Sequence, residues 1–112
     1  MRVEQRPWGR FIVIHEDRVN WLKRLIINPG ESLSLQSHLQ RTEYWLTSDE
    51  GVGYQIDGVS GVMQTGKVYE VIPGDRHRLW NTGPEPVVVV EWATGAPDER
   101  DIIRYDDNYG RV

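Results

Sequence analysis

Turn-forming pairs cut this chain into short pieces: Pro29-Gly30, Asp57-Gly58, Pro73-Gly74, Gly83-Pro84 and Ala96-Pro97 each carry the backbone preferences that reversals need. No piece of helical length shows a sustained helical period. Between the turns lie β-rich runs, at Phe11 to His15, Val19 to Ile27, Leu33 to His38, Glu43 to Thr47, Val52 to Asp57, Lys67 to Ile72, His77 to Trp80, Val87 to Ala93 and Asp101 to Tyr105. Nine short strands and no helix predict an all-β sandwich or barrel. No linker, repeat or low-complexity tract interrupts them, so residues 1–112 are expected to form a single domain.

Several function classes are disfavoured at once. The chain has no cysteine, so any metal must be held by imidazole, carboxylate or amide oxygen. A net charge of −4, with basic residues scattered singly or in pairs, argues against nucleic acid as a partner. Scattered cations still suit a small phosphorylated ligand, which needs only two or three donors in a pocket. No apolar run is long enough to span a membrane and the first residues lack the apolar stretch of a secretory signal. No membrane partner and a cytoplasmic location are therefore expected.

Gln36 and His38 are two apart, so in a strand they share a face with Ser34, while Leu33 and Leu35 take the other. Glu43 opens the next strand, and His77 follows the Pro73-Gly74 turn. Only a sheet that closes or folds over can bring these groups together. Two imidazoles, one carboxylate and one amide oxygen suit a single divalent transition metal, Zn, Mn, Fe, Co or Ni, with positions left for water or a ligand. Val87 to Val90 reads as a strand buried on both faces, and Glu91 follows it directly. That residue either begins a solvent-facing side or places a carboxyl inside, where desolvation raises its pKa.

The joint spacing is more specific than any one residue. Gly30, Gln36-x-His38 and Glu43, followed by Gly74-x-x-His77-x-x-x-Asn81, resemble the two cupin motifs, with Gln36 in place of the first histidine and Ile72 where proline is usual. The resemblance implies a single cupin, a double-stranded β-helix or jelly-roll barrel, with Gln36, His38, Glu43 and His77 as metal ligands. More closely, Arg6-Pro7-Trp8-Gly9, Lys23-Arg24, Pro29-Gly30-Glu31, Leu33-Ser34-Leu35-Gln36, Asp101-Ile102-Ile103-Arg104 and Tyr109-Gly110-Arg111 resemble the cupin of type II mannose-6-phosphate isomerase. The same cupin forms the C-terminal domain of mannose-1-phosphate guanylyltransferases. One stretch departs from that pattern: where the family reads HHHR-x-EHW, this chain has Leu39, Gln40 and Tyr44 at the later histidine positions.

The resemblance implies a metal-dependent aldose–ketose isomerase interconverting mannose 6-phosphate and fructose 6-phosphate. Glu91 would be its base, and Arg24 and Arg41, with Lys23 and Ser34 in support, would hold the phosphate of the sugar. Arg76 and Arg78 alternate with His77 and should point out of the barrel. The rival readings are a noncatalytic sugar-binding cupin and a cupin enzyme of other chemistry, an epimerase or dioxygenase. A homodimer is expected, with the Trp8-containing N-terminal stretch as the candidate contact.

Overall fold

The Asp57-Gly58 pair shows how turn residues organise the sheets. Both have positive φ, 49° and 82°, as a two-residue type I′ hairpin requires, and the flanking Ile56 and Val59 are cross-strand partners. The computed structural model describes residues 1–112. Its eleven strands are β1 (Arg2–Arg6), β2 (Gly9–Glu16), β3 (Asn20–Ile27), β4 (Leu35–Ser37), β5 (Arg41–Thr47), β6 (Val52–Ile56), β7 (Val59–Val62), β8 (Tyr69–Val71), β9 (His77–Asn81), β10 (Val87–Gly95) and β11 (Ile103–Asp106). They form two antiparallel sheets, ordered β1-β2-β3-β10-β5-β8 and β11-β4-β9-β6-β7. This is the expected all-β cupin architecture, a double-stranded β-helix. No helix is long and apolar enough to cross a membrane.

The core joins both sheets. Phe11, Leu25, Ile27, Trp45, Val71, Val87 and Val89 from the first pack with Leu33, Val52 and Leu79 from the second side. Trp8 belongs to this core as well, so the N-terminal tryptophan does not offer the self-contact expected of it. Along β10 burial alternates: Val87, Val89, Glu91 and Ala93 face inward, and Val88 and Val90 are half-buried outside. The run is therefore buried on one face rather than two, and Glu91 falls on the inner one by strict two-residue periodicity.

Two strands lie outside the sequence expectations. β1 is an exposed edge with Val3 as its only apolar residue, so no alternation marks it. β7 is likewise a mostly exposed edge beyond the Asp57-Gly58 turn. The expected run Leu33 to His38 is regular only from Leu35 to Ser37. Leu33 and Ser34 precede the ladder and escape its alternation, so both line the same cavity instead of facing opposite ways.

Candidate metal and ligand site

β4, β5 and β9 bring three of the expected ligands together. His38 follows β4, Glu43 lies on β5 and His77 opens β9; their ligand atoms all lie within 4.8 Å of one another, and all three side chains are buried. Gly74, at φ 88°, makes the turn before β9 and donates its N–H to the His38 carbonyl at 2.8 Å. That backbone bond ties the two histidine segments to each other. Gln36 is the cross-strand partner of His77 and lines the adjoining cavity.

The tautomers of both imidazoles follow from their partners. His38 Nδ1 lies 2.6 Å from the Asp101 carbonyl, and His77 Nδ1 lies 2.9 Å from the Asp75 carbonyl. A carbonyl only accepts, so both Nδ1 atoms carry the proton and both Nε2 atoms present lone pairs. Those two Nε2 atoms are 3.1 Å apart, with Glu43 oxygens 3.4 Å from one and 3.6 Å from the other. Burial, reinforced by the nearby Arg41 and His77, lowers His38 to about 4 against the pull of Glu43, so it is neutral near pH 7. Burial raises a carboxyl, but His77, Arg41 and His38 outweigh it at Glu43 and hold that group at about 2. Three converging acceptors, one of them anionic, call for a cation.

Arg41 meets part of that demand. Its Nε donates to Glu43 at 2.8 Å and its Nη2 to His38 Nε2 at 2.9 Å, while Nη1 donates to the Asp98 carbonyl at 3.0 Å. His77 Nε2 is left facing only other acceptors, His38 Nε2 and a Glu43 oxygen. A divalent ion would satisfy all three groups where the guanidinium satisfies two, so the donor set fits a metal. Trp45, packed in the core, adds an Nε1–H to Glu43 at 3.3 Å.

Above this set lies a cavity of about 190 Å³ lined by Ser34, Gln36, His38, Glu43 and Glu91, with Lys23 and Arg41. Glu91 is inside, as one of the two sequence readings has it. Burial and then the charge of Glu43 push it up to about 8, against Lys23 and Arg41, so it is the protonated partner of Glu43. Trp21 Nε1–H donates to its other side at 3.1 Å. Lys23 is 3% exposed, ion-paired with Glu99 and stacked over Trp21 at 3.5 Å.

One expected phosphate ligand, Arg24, is corrected, and a second, Arg41, is found already engaged. Arg24 sits on the exposed outer face of β3 and does not line the cavity, because adjacent strand residues point to opposite sides and Lys23 takes the inner one. Arg41 does line it, but all three of its nitrogens already have protein partners. In compensation Arg6, Arg104 and Arg111 line the cavity. All three sit in the terminal motifs that carried the family likeness, which was the available signal. Arg76 and Arg78 do lie outside, Arg76 over Tyr105 and Arg78 bonded to Leu33 and Asp106.

Residues 2–107 match the family described as mannose-6-phosphate isomerase C-terminal. The chain belongs to that family. Mannose-1-phosphate guanylyltransferase ManC of Salmonella typhimurium is 32% identical over 108 residues, which is 96% of this chain but only 22% of that enzyme. The chain thus spans less than a quarter of that relative. A Klebsiella pneumoniae protein with a double-stranded β-helix domain superposes with a TM-score of 0.71 at 21% identity, covering 85% of this chain and 82% of that one. The cupin domain of Schizosaccharomyces pombe Cnp3 does so with a TM-score of 0.75 at 11% identity, covering 85% and 69%. At these identities the two structures speak to fold alone.

The family relatives overturn the expected activity. They bear the name mannose-1-phosphate guanylyltransferase, which is the name of a nucleotidyl transfer and not of an aldose–ketose isomerisation. Isomerisation of mannose 6-phosphate is therefore withdrawn as the function of this chain. The role of Glu91 as the base of that reaction goes with it, although its position inside the barrel stands.

Proposed function

We propose that this chain is a sugar-binding cupin module that takes a phosphorylated hexose without turning it over, and that it holds one divalent transition metal through His38, Glu43, His77 and Gln36. The observation that carries the reading is the fixed tautomer of both histidines, which aims two lone pairs and the Glu43 carboxylate at one point beneath a cationic cavity. When bound, the ion would supply positive charge to the hydroxyl or carbonyl oxygens of the ligand. Lys23 and Ser34 line the wall around it. The sugar-phosphate class is supported by the named substrate of the relative ManC and by the excess of cations along the cavity.

Binding without turnover is supported by the relatives, whose named reaction is nucleotidyl transfer and not isomerisation, and it does not depend on a free carboxyl. Each carboxyl lining the cavity is already engaged: Glu43 by Arg41, Glu91 by Glu43 and Trp21, and Glu99 by Lys23. Calorimetric titration of the metal-loaded protein with mannose 6-phosphate and mannose 1-phosphate, followed by product analysis, tests this. Saturable binding of a phosphorylated hexose with no conversion is expected. Absence of binding by both sugars, or conversion of either, would overturn the reading.

A further inference from the structure

One cation in the cavity has no partner. Lys23 is paired with Glu99, Arg41 with Glu43, and Arg111 forks onto Asp107 at 2.8 Å through both Nε and Nη2. Arg6 has Glu4 and Glu99 within 3.8 and 3.9 Å. Arg104, on β11, makes no side-chain hydrogen bond or ion pair, and its Nε is buried away from water with no acceptor at all. A buried N–H left in this state is costly and uncommon. Burial and the charge of Arg111 hold the guanidinium below its ordinary value, with Arg6 adding to them against Asp107 and Glu99.

The position of Arg104 relative to the metal set is fixed by strand register. Arg104 is the cross-strand partner of Gln36, and Gln36 is that of His77. The three therefore form one row across β11, β4 and β9. At about 4.8 Å per strand spacing, Arg104 stands roughly 10 Å from His77 along the row. A phosphorylated hexose can bridge such a gap with its phosphate at one end and its ring hydroxyls at the other.

We propose that Arg104, flanked by Arg6 and Arg111, is the anion subsite of this cavity and takes the phosphate of a phosphorylated sugar whose ring oxygens face the His38, Glu43 and His77 set. Three guanidinium groups from the two ends of the chain converge there, and the planar fork of arginine matches phosphate oxygens in pairs. The inference rests on the sugar-phosphate reading of the cavity, and its test separates the two.

Arg104→Met removes the donors and keeps the stem, and Arg104→Lys keeps the charge without the fork. Neither breaks a hydrogen bond within the protein, so both variants should fold and keep their metal. Binding of inorganic phosphate, mannose 6-phosphate and unphosphorylated mannose is measured for all three proteins by calorimetry. The expected result is that Arg104→Met weakens phosphate and mannose 6-phosphate at least tenfold, that Arg104→Lys recovers part of the loss, and that mannose responds to neither change. Mannose 6-phosphate binding as tightly to Arg104→Met as to the parent would overturn the subsite and leave the proposed function standing. Arg104-dependent binding of inorganic phosphate, with no gain from the attached sugar, would support the subsite and sink the sugar reading. A parent protein that binds neither phosphate nor mannose 6-phosphate would overturn the subsite outright.

Discussion

At Arg41 a guanidinium contacts the same Glu43 and His38 atoms that a metal ion would use, at 2.8 and 2.9 Å. Two cations cannot share those atoms without mutual repulsion, which at about 4 Å and an effective dielectric of about 20 amounts to several kcal/mol. Arg41→Met should therefore tighten divalent-metal binding by roughly tenfold or more, read by competition with a chelating dye. Unchanged or weaker binding would show that Arg41 assists the ion instead. Individual residues also mark where sequence reading stops. The gathering of His38, Glu43 and His77 was legible because strand parity and two motif spacings select them together. The Lys23-Arg24 pair was not, since neighbouring residues face opposite ways and only the register with β10, where Lys23 meets Glu91, fixes which is inside.

Among the elements, β11 and the segment before it do more for the site than their modest burial suggests. The Asp101 carbonyl fixes the tautomer of His38, while its carboxylate accepts the N–H groups of Leu39 and Gln40 at about 3 Å, holding the turn between β4 and β5. Arg78 then clasps β11 through Asp106. Groups that orient a metal-binding histidine are commonly worth about 10- to 100-fold in affinity. Asp101→Ala, which frees the turn and loosens the segment carrying that carbonyl, should weaken metal binding within that range while leaving the barrel folded by circular dichroism. An affinity equal to the parent's would make the segment a passive cover. The central strands were readable from their alternation and turns, and β1 and β7 were not, because an exposed edge strand needs no apolar face.

The whole molecule turns one apolar interior to two uses. Around Val52, Leu79 and Val89 it is apolar and packed; beside Glu43, Arg41 and Lys23 it holds charges that only partners or a ligand can compensate. The barrel topology was legible in the sequence, whereas the convergence of Arg6, Arg104 and Arg111 was not, because residues from the two ends of a chain meet only once the sheets close. The cluster of His38, Glu43 and His77 beneath this charged cavity is the feature on which the functional reading depends. Its most direct test is the metal content of protein purified without chelator and of the His77→Ala variant, measured by plasma mass spectrometry. About one divalent transition metal per chain in the parent, with most of it lost in the variant, is the expected result. A parent that takes up none of Zn, Mn, Fe, Co or Ni, or a His77→Ala variant that keeps its full complement, would contradict the assignment.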